Sequence, residues 1–238
     1  MSLDWYGAWQ AMTHHPLFGA GITLGAYQLG VAAYEKTRWV FLQPVLLSML
    51  IVIGVLLLCG LSFADYKVSA EVLTLLLGPT TVALAVPLFL NLRRIRQLFW
   101  PTVLTLLLAG VVATLLGVAF AWLFGAERIM LMSMAPKSVT SPIAMLVASQ
   151  IGGIAALAAV FVMITGVVGA ILGPSLLRRC GVHHHAAMGM ALGMTAHAVG
   201  TARAMQESEE CGAFAALAMS LMGMVTAVLL PLAIVLLT

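Results

Sequence analysis

Charge is scarce in this chain. Asp, Glu, Lys and Arg make up 8% of its 238 residues, while hydrophobic residues make up 63%. A soluble domain carries roughly 25% charge and about 45–50% apolar residues, so a water-soluble core is excluded. The few basic residues lie in short clusters between apolar runs, which leaves no contiguous basic face for nucleic acid. Cys59, Cys180 and Cys211 stand alone without a CxxC, which excludes a disulfide framework or zinc site. There is no P-loop, nucleophile elbow or HExxH, so enzyme chemistry has no anchor and no cofactor or resident metal is expected. Met1 to His15 holds no Lys or Arg, unlike the basic n-region of a cleaved signal peptide. The first apolar segment is therefore expected to stay in the protein.

What fills the chain is long apolar stretches. A helical span needs about 20 apolar residues to cross roughly 30 Å of hydrocarbon. Such elements run from about Pro16 to Ala33, Val40 to Leu61, Val68 to Leu92, Thr102 to Gly125, Ile154 to Leu177, Ala186 to Gln206 and Ala213 to Leu237. The stretch Ile129 to Gly153 differs, with two short apolar pieces flanking Pro136-Lys137-Ser138-Val139-Thr140-Ser141-Pro142. The fold class is all-α: a polytopic membrane protein of seven or eight hydrophobic elements, forming one membrane domain over 1–238. Arg93, Arg94, Arg96, Arg178 and Arg179 should be cytoplasmic. Both clusters stay inside only if the Pro136–Pro142 stretch adds no net crossing, as a re-entrant or broken segment would.

Sliding the chain by 115 residues aligns Leu77-Gly78-Pro79-Thr80 with Leu192-Gly193-Met194-Thr195, and Ile51–Leu57 with Gly166–Leu172. Apolar segments also resemble one another by composition alone, but here two separate blocks share one ungapped offset. Two repeats, about 16–125 and 129–238, are expected to be inverted, with irregular helices in matching places, as in transporters.

Three constellations could carry chemistry. Pro142 fits the first turn of a helix, with Ser141 before it as N-cap, so free N–H groups and the positive dipole end face outward. Lys137 adds a full charge, Ser138 and Thr140 add hydroxyls, and Val139 lies between them, together making an anion site of carboxylate size. The alternative is an interfacial turn with a snorkelling lysine. In the second constellation, Gly193 to Arg203, small residues such as Gly200 permit close approach. Thr195 and Thr201 can bond a substrate or their own helix, His197 can take a proton, and Arg203 suits bidentate carboxylate binding. The alternative is a small-residue packing helix with Arg203 at its polar end. The third, Gly78-Pro79-Thr80-Thr81, should break or kink its helix; a simple kink is its alternative reading. Cys180 and His183–His185 could hold a metal, but with no carboxylate or second cluster to support one they read as a solvated basic loop, and Glu207, Glu209 and Glu210 read as a solvated loop. The GxxxG pairs Gly21/Gly25, Gly169/Gly173 and Gly189/Gly193 read as helix-packing marks.

At these motifs the chain resembles the LrgB/CidB family of bacterial membrane proteins. The resemblance rests on Leu77–Leu88, Pro136–Ala144 and Ala191–Ala204, with Gly212-Ala213-Phe214 and Ser220–Gly223, and covers most of the chain beyond about residue 40. Ser141 stands where threonine is expected, and Met194 where a smaller residue is usual. The resemblance implies a multi-pass protein of the bacterial cytoplasmic membrane, with an LrgA/CidA-type small membrane partner. It implies two functions: a holin/antiholin-like regulator of murein hydrolase activity and cell lysis, or a transporter of a small monocarboxylate such as pyruvate, glycolate or glycerate. Interrupted elements, Lys137 and the His197/Arg203 set favour the transporter. The expected substrate contacts are Lys137, Ser138, Val139, Thr140, Ser141, Thr195, His197, Gly200, Thr201, Arg203, Thr80 and Thr81. H+ or Na+ would be the coupling ion, and a homo-oligomer, a dimer first, is the expected assembly.

Overall fold

Gly60, Gly125, Gly152 and Gly181 take positive φ where apolar runs stop. In the computed structural model, residues 5–13, 15, 17–37, 42–83 and 85–237 are described. Pro16, Arg38 and Val40, at the edges of sequence segments, lie outside them, as do the side chains of Thr80 and Thr81. The described residues are helical with no strand, and the chain forms two compact units, 1–83 and 84–238.

The first unit holds Trp5–Thr13 (α1), Phe18–Thr37 (α2), Pro44–Cys59 (α3), Phe63–Ser69 (α4) and Glu71–Ala83 (α5). Pro44 opens α3 with Gln43 capping it, and Gly60 closes it in the left-handed region at φ 63°. Ser62 then caps α4 by accepting from the Asp65 N–H at 3.2 Å. The chain bends 116° between α3 and α4. In α2, Gly19 donates its N–H to Ser69 Oγ at 3.1 Å, and Thr23 Oγ1 lies 2.8 Å from the Tyr66 hydroxyl. The helix passes through Gly78-Pro79 and ends only at Ala83, so the break expected at that dipeptide is not there. Pro79 removes one backbone donor, a loss that neighbouring turns of a membrane helix can absorb.

The second unit holds Ala85–Leu90 (α6), Leu92–Gln97 (α7), Phe99–Leu123 (α8), Arg128–Met134 (α9), Ser141–Gln150 (α10), Ala155–Arg179 (α11), His185–Glu207 (α12) and Glu209–Leu237 (α13). Among the described residues, α8, α11 and α13 are each long and apolar enough to cross a membrane, and α3 with α4 would make a fourth, bent span. Large apolar side chains such as Leu108, Leu115, Trp122, Val228 and Val235 are exposed on α8 and α13, as lipid-facing surfaces require. The core gathers Leu106, Val139, Val162, Met190, Met194, Phe214 and Met222 from α8, the α9–α10 turn, α11, α12 and α13.

Ion pairs fix the ends. Arg94 on α7 pairs with Glu210 at 3.3 Å and lies 3.1 Å from His184 Nε2, while Arg178 at the end of α11 pairs with Glu207. The start of α8 and the end of α11 therefore share one end of the unit, here the basic end. The segment 124–154 therefore begins and ends at the opposite, far end of the unit.

Candidate functional site: two opposed helical hairpins

Two interrupted elements enter the unit from opposite ends. From the far end, α9 descends beside α8, with Met132 and Ala135 in one apolar cluster with Val118, Val147 and Ile151. Residues 135–140 continue inward as turns, and α10 returns, so that the Ile154 N–H reaches Ser133 Oγ at 2.8 Å. Ser141, expected as the N-cap, is instead the first residue of α10 and Pro142 the second; the N-cap is Thr140, one residue earlier, and it makes no side-chain capping bond. The first-turn N–H groups thus face mid-depth without a side-chain cap.

From the basic end, α12 descends along α11 and folds back. At His197 the backbone takes φ 43° and ψ −127°, a break inside the helix. Ser208 Oγ lies 3.0 Å from His185 Nδ1, joining the two ends of the element. Gly200 lies against the Leu192 carbonyl, a contact that a straight helix would forbid, since eight residues span about 12 Å of rise. The Ala186–Gln206 apolar segment is therefore a re-entrant hairpin with its tip at His197, and its second half, 198–207, starts at that tip.

The tips lie at similar depth. Lys137 Nζ donates to the Ala113 carbonyl at 3.2 Å and lies 3.4 Å from Ser138 Oγ. Ala113 is about 15 Å from the far end of α8 at 1.5 Å per residue. His197 Nε2 donates to the Val162 carbonyl at 2.9 Å, about 11 Å from the far end of α11. A carbonyl only accepts, so Nε2 carries the proton. Val139 of one tip and Met194 of the other share the same buried cluster.

The expected site residues are thus sorted. Lys137 is joined to Ser138, and both line the first tip with buried Val139, Thr140 and half-buried Ser141. His197 is joined to Thr201, whose Oγ1 donates to the His197 carbonyl at 2.8 Å, and Gly200 is buried beside them. Thr195 is exposed and bonds its own helix at Ala191. Arg203 stands toward the basic end, 2.5 Å from Glu207 and 3.4 Å from Gln206 Oε1. No hydrogen bond or ion pair among the described residues joins Arg203 to Lys137. Glu207, read as a solvated loop residue, is instead nearly buried at 11% exposure and bridges Arg178 and Arg203. Thr80 and Thr81 belong to the first unit. A cavity of about 360 Å³ runs from His184 past Thr102 and Thr105 of α8 to Met194. The sequence offered no sign of the carbonyls that hold the tips, because Ala113 and Val162 look like any apolar span residue.

Three helices long and apolar enough to span, and an apolar outer surface, define an α-helical membrane protein. The chain belongs to the LrgB-like family, whose model matches residues 23–236. It is 33% identical to the uncharacterized protein YxaC of Bacillus subtilis (strain 168), over 84% of this chain and 87% of that one. It is 32% identical to the holin-like protein CidB of Staphylococcus epidermidis over 90% and 94% of the two chains, and 28% identical to the antiholin-like protein LrgB of Bacillus cereus over 93% and 97%. No solved structure matches it.

Proposed function

We propose that this protein carries a small monocarboxylate, of the pyruvate, glycolate or glycerate type, across the bacterial cytoplasmic membrane. The observation that carries the reading is Lys137 beside the N-terminus of α10 at mid-depth. Among the described residues no carboxylate pairs with this lysine. A cation at this depth is costly unless it serves a ligand or path. The half-helix starting after His197 brings a second positive dipole end to the same level. Ser138, Thr140 and Thr201 supply hydroxyls for the rest of the substrate, and His197 is the candidate carrier of a coupling proton. Arg203, paired with Glu207, serves the mouth of the hairpin rather than the carboxylate. The two hairpins, entering from opposite ends, would alternate as the closed gate. The holin-like and antiholin-like naming of the CidB and LrgB relatives supports a second reading, a holin- or antiholin-like regulator working with an LrgA/CidA-type partner.

Uptake of labelled pyruvate and glycolate into proteoliposomes tests the proposal. Wild type should show saturable uptake, and Lys137→Ala should lose it by at least about tenfold, as removal of a binding charge predicts. Equal uptake by both proteins removes the site. Absence of uptake with and without an LrgA-type partner favours the regulator.

A further inference from the structure

We infer that the two hairpin tips are seated by the same device, a glycine notch over a helix carbonyl, and that Gly117 and Gly166 are its positioning residues. Lys137 donates to the carbonyl of Ala113, and the residue four positions on is Gly117. His197 donates to the carbonyl of Val162, and four positions on is Gly166. The spacing has a physical reason. In an α-helix the carbonyl of residue i points toward residue i+4, and the side chain at i+4 leans back over that turn. The carbonyl keeps a second lone pair after its helical bond. A glycine at i+4 therefore uncovers an acceptor that any other residue would screen.

The fit is close at both places. A Cβ on Gly117 would stand 2.6 Å from Lys137 Cε and 3.2 Å from Nζ. A Cβ on Gly166 would stand 2.6 Å from His197 Cε1 and 2.7 Å from Nε2. Gly110 and Gly173 make similar notches, but these take the apolar ends of Met222 and Leu192. Of these four notches, only Gly117 and Gly166 face a side-chain nitrogen. One notch lies on α8 and serves the hairpin from the far end; the other lies on α11 and serves the hairpin from the basic end. On the carboxylate-carrier reading, and on it alone, an incoming carboxylate competes with the Ala113 carbonyl for the ammonium, so binding releases the tip.

Amide hydrogen exchange on the full chain in lipid nanodiscs, read by mass spectrometry without substrate, tests the inference. Gly117→Ala should speed exchange over 136–141 by about tenfold and leave 198–202 unchanged; Gly166→Ala should do the reverse. In a Lys137→Ala background, Gly117→Ala should add nothing, because its only effect runs through that side chain. If Gly117→Ala fails to fold, the Gly117→Ala/Lys137→Ala pair should restore folding. Unchanged exchange in Gly117→Ala, an equal increment with and without Lys137, or a failed rescue each overturns the inference. If the exchange pattern holds while wild type carries no carboxylate, the carrier reading falls and the notches stand.

Discussion

His197 occupies a backbone state that suits glycine. Its φ of 43° and ψ of −127° match the first central position of a type II′ turn, where a Cβ is strained. The hairpin tip thus holds a histidine at a conformational cost of about 1–3 kcal/mol. The Val162 bond and the Gly166 notch offset part of it. His197→Ala should keep the strain and lose the bond, whereas His197→Gly should lose both. His197→Gly is therefore expected to be more stable than His197→Ala by about 1 kcal/mol, measured by thermal unfolding in detergent. The sequence exposed this residue as a polar interruption between small neighbours. It could not expose the positive φ, because nothing in Ala196-His197-Ala198 is a turn signal. Lys137 was equally visible as a charge, but the carbonyl it meets is 24 residues away in an apolar run.

The glycine-pair motifs of the helices divide once their neighbours are known. Gly189 and Gly193 lie against the α13 backbone at Cys211 and Ala215, and a Cβ on Gly193 would come within 2.7 Å of Ala215 Cα. Gly169 faces the Ala196 methyl and Gly173 the Leu192 side chain, so α11 makes room for the hairpin. Gly21 and Gly25 have no described atom near such a position. Gly193→Ala should destabilise the protein by about 1–3 kcal/mol, through a backbone that cannot step aside. Gly25→Ala should stabilise it by up to about 1 kcal/mol, through helix propensity alone. Unfolding in detergent, scored side by side, separates the two. Element positions were legible in the apolar runs: Ile154–Leu177 became Ala155–Arg179, and Ala213–Leu237 became Glu209–Leu237. The course of α12 was not legible. Its 23 residues are long enough to span, and only contacts remote in sequence fold it back.

In the second unit, the ion pairs among the described residues are gathered at one end. Arg94, Arg178 and Arg203 meet Glu207 and Glu210 there, tying α7 to the start of α13 and α11 to the end of α12. The two acids differ in their surroundings. Glu207 is nearly buried between two arginines, so Glu207→Gln should cost about 1–3 kcal/mol by leaving both guanidinium groups short of a partner. Glu210 is paired with an arginine that is 49% exposed, so Glu210→Gln should cost less than about 1 kcal/mol, and less still at high salt. Unfolding temperatures at two ionic strengths check both. Each hairpin enters and leaves by its own end, so neither adds to the three crossings that α8, α11 and α13 are long and apolar enough to make among the described residues of this unit. An odd count has a topological consequence for reporter fusions. With the arginine-rich end facing the cytoplasm, alkaline phosphatase fused after Leu237 should be active and green fluorescent protein at that site dark, while a reporter inserted at Val182 should give the opposite pair of signals.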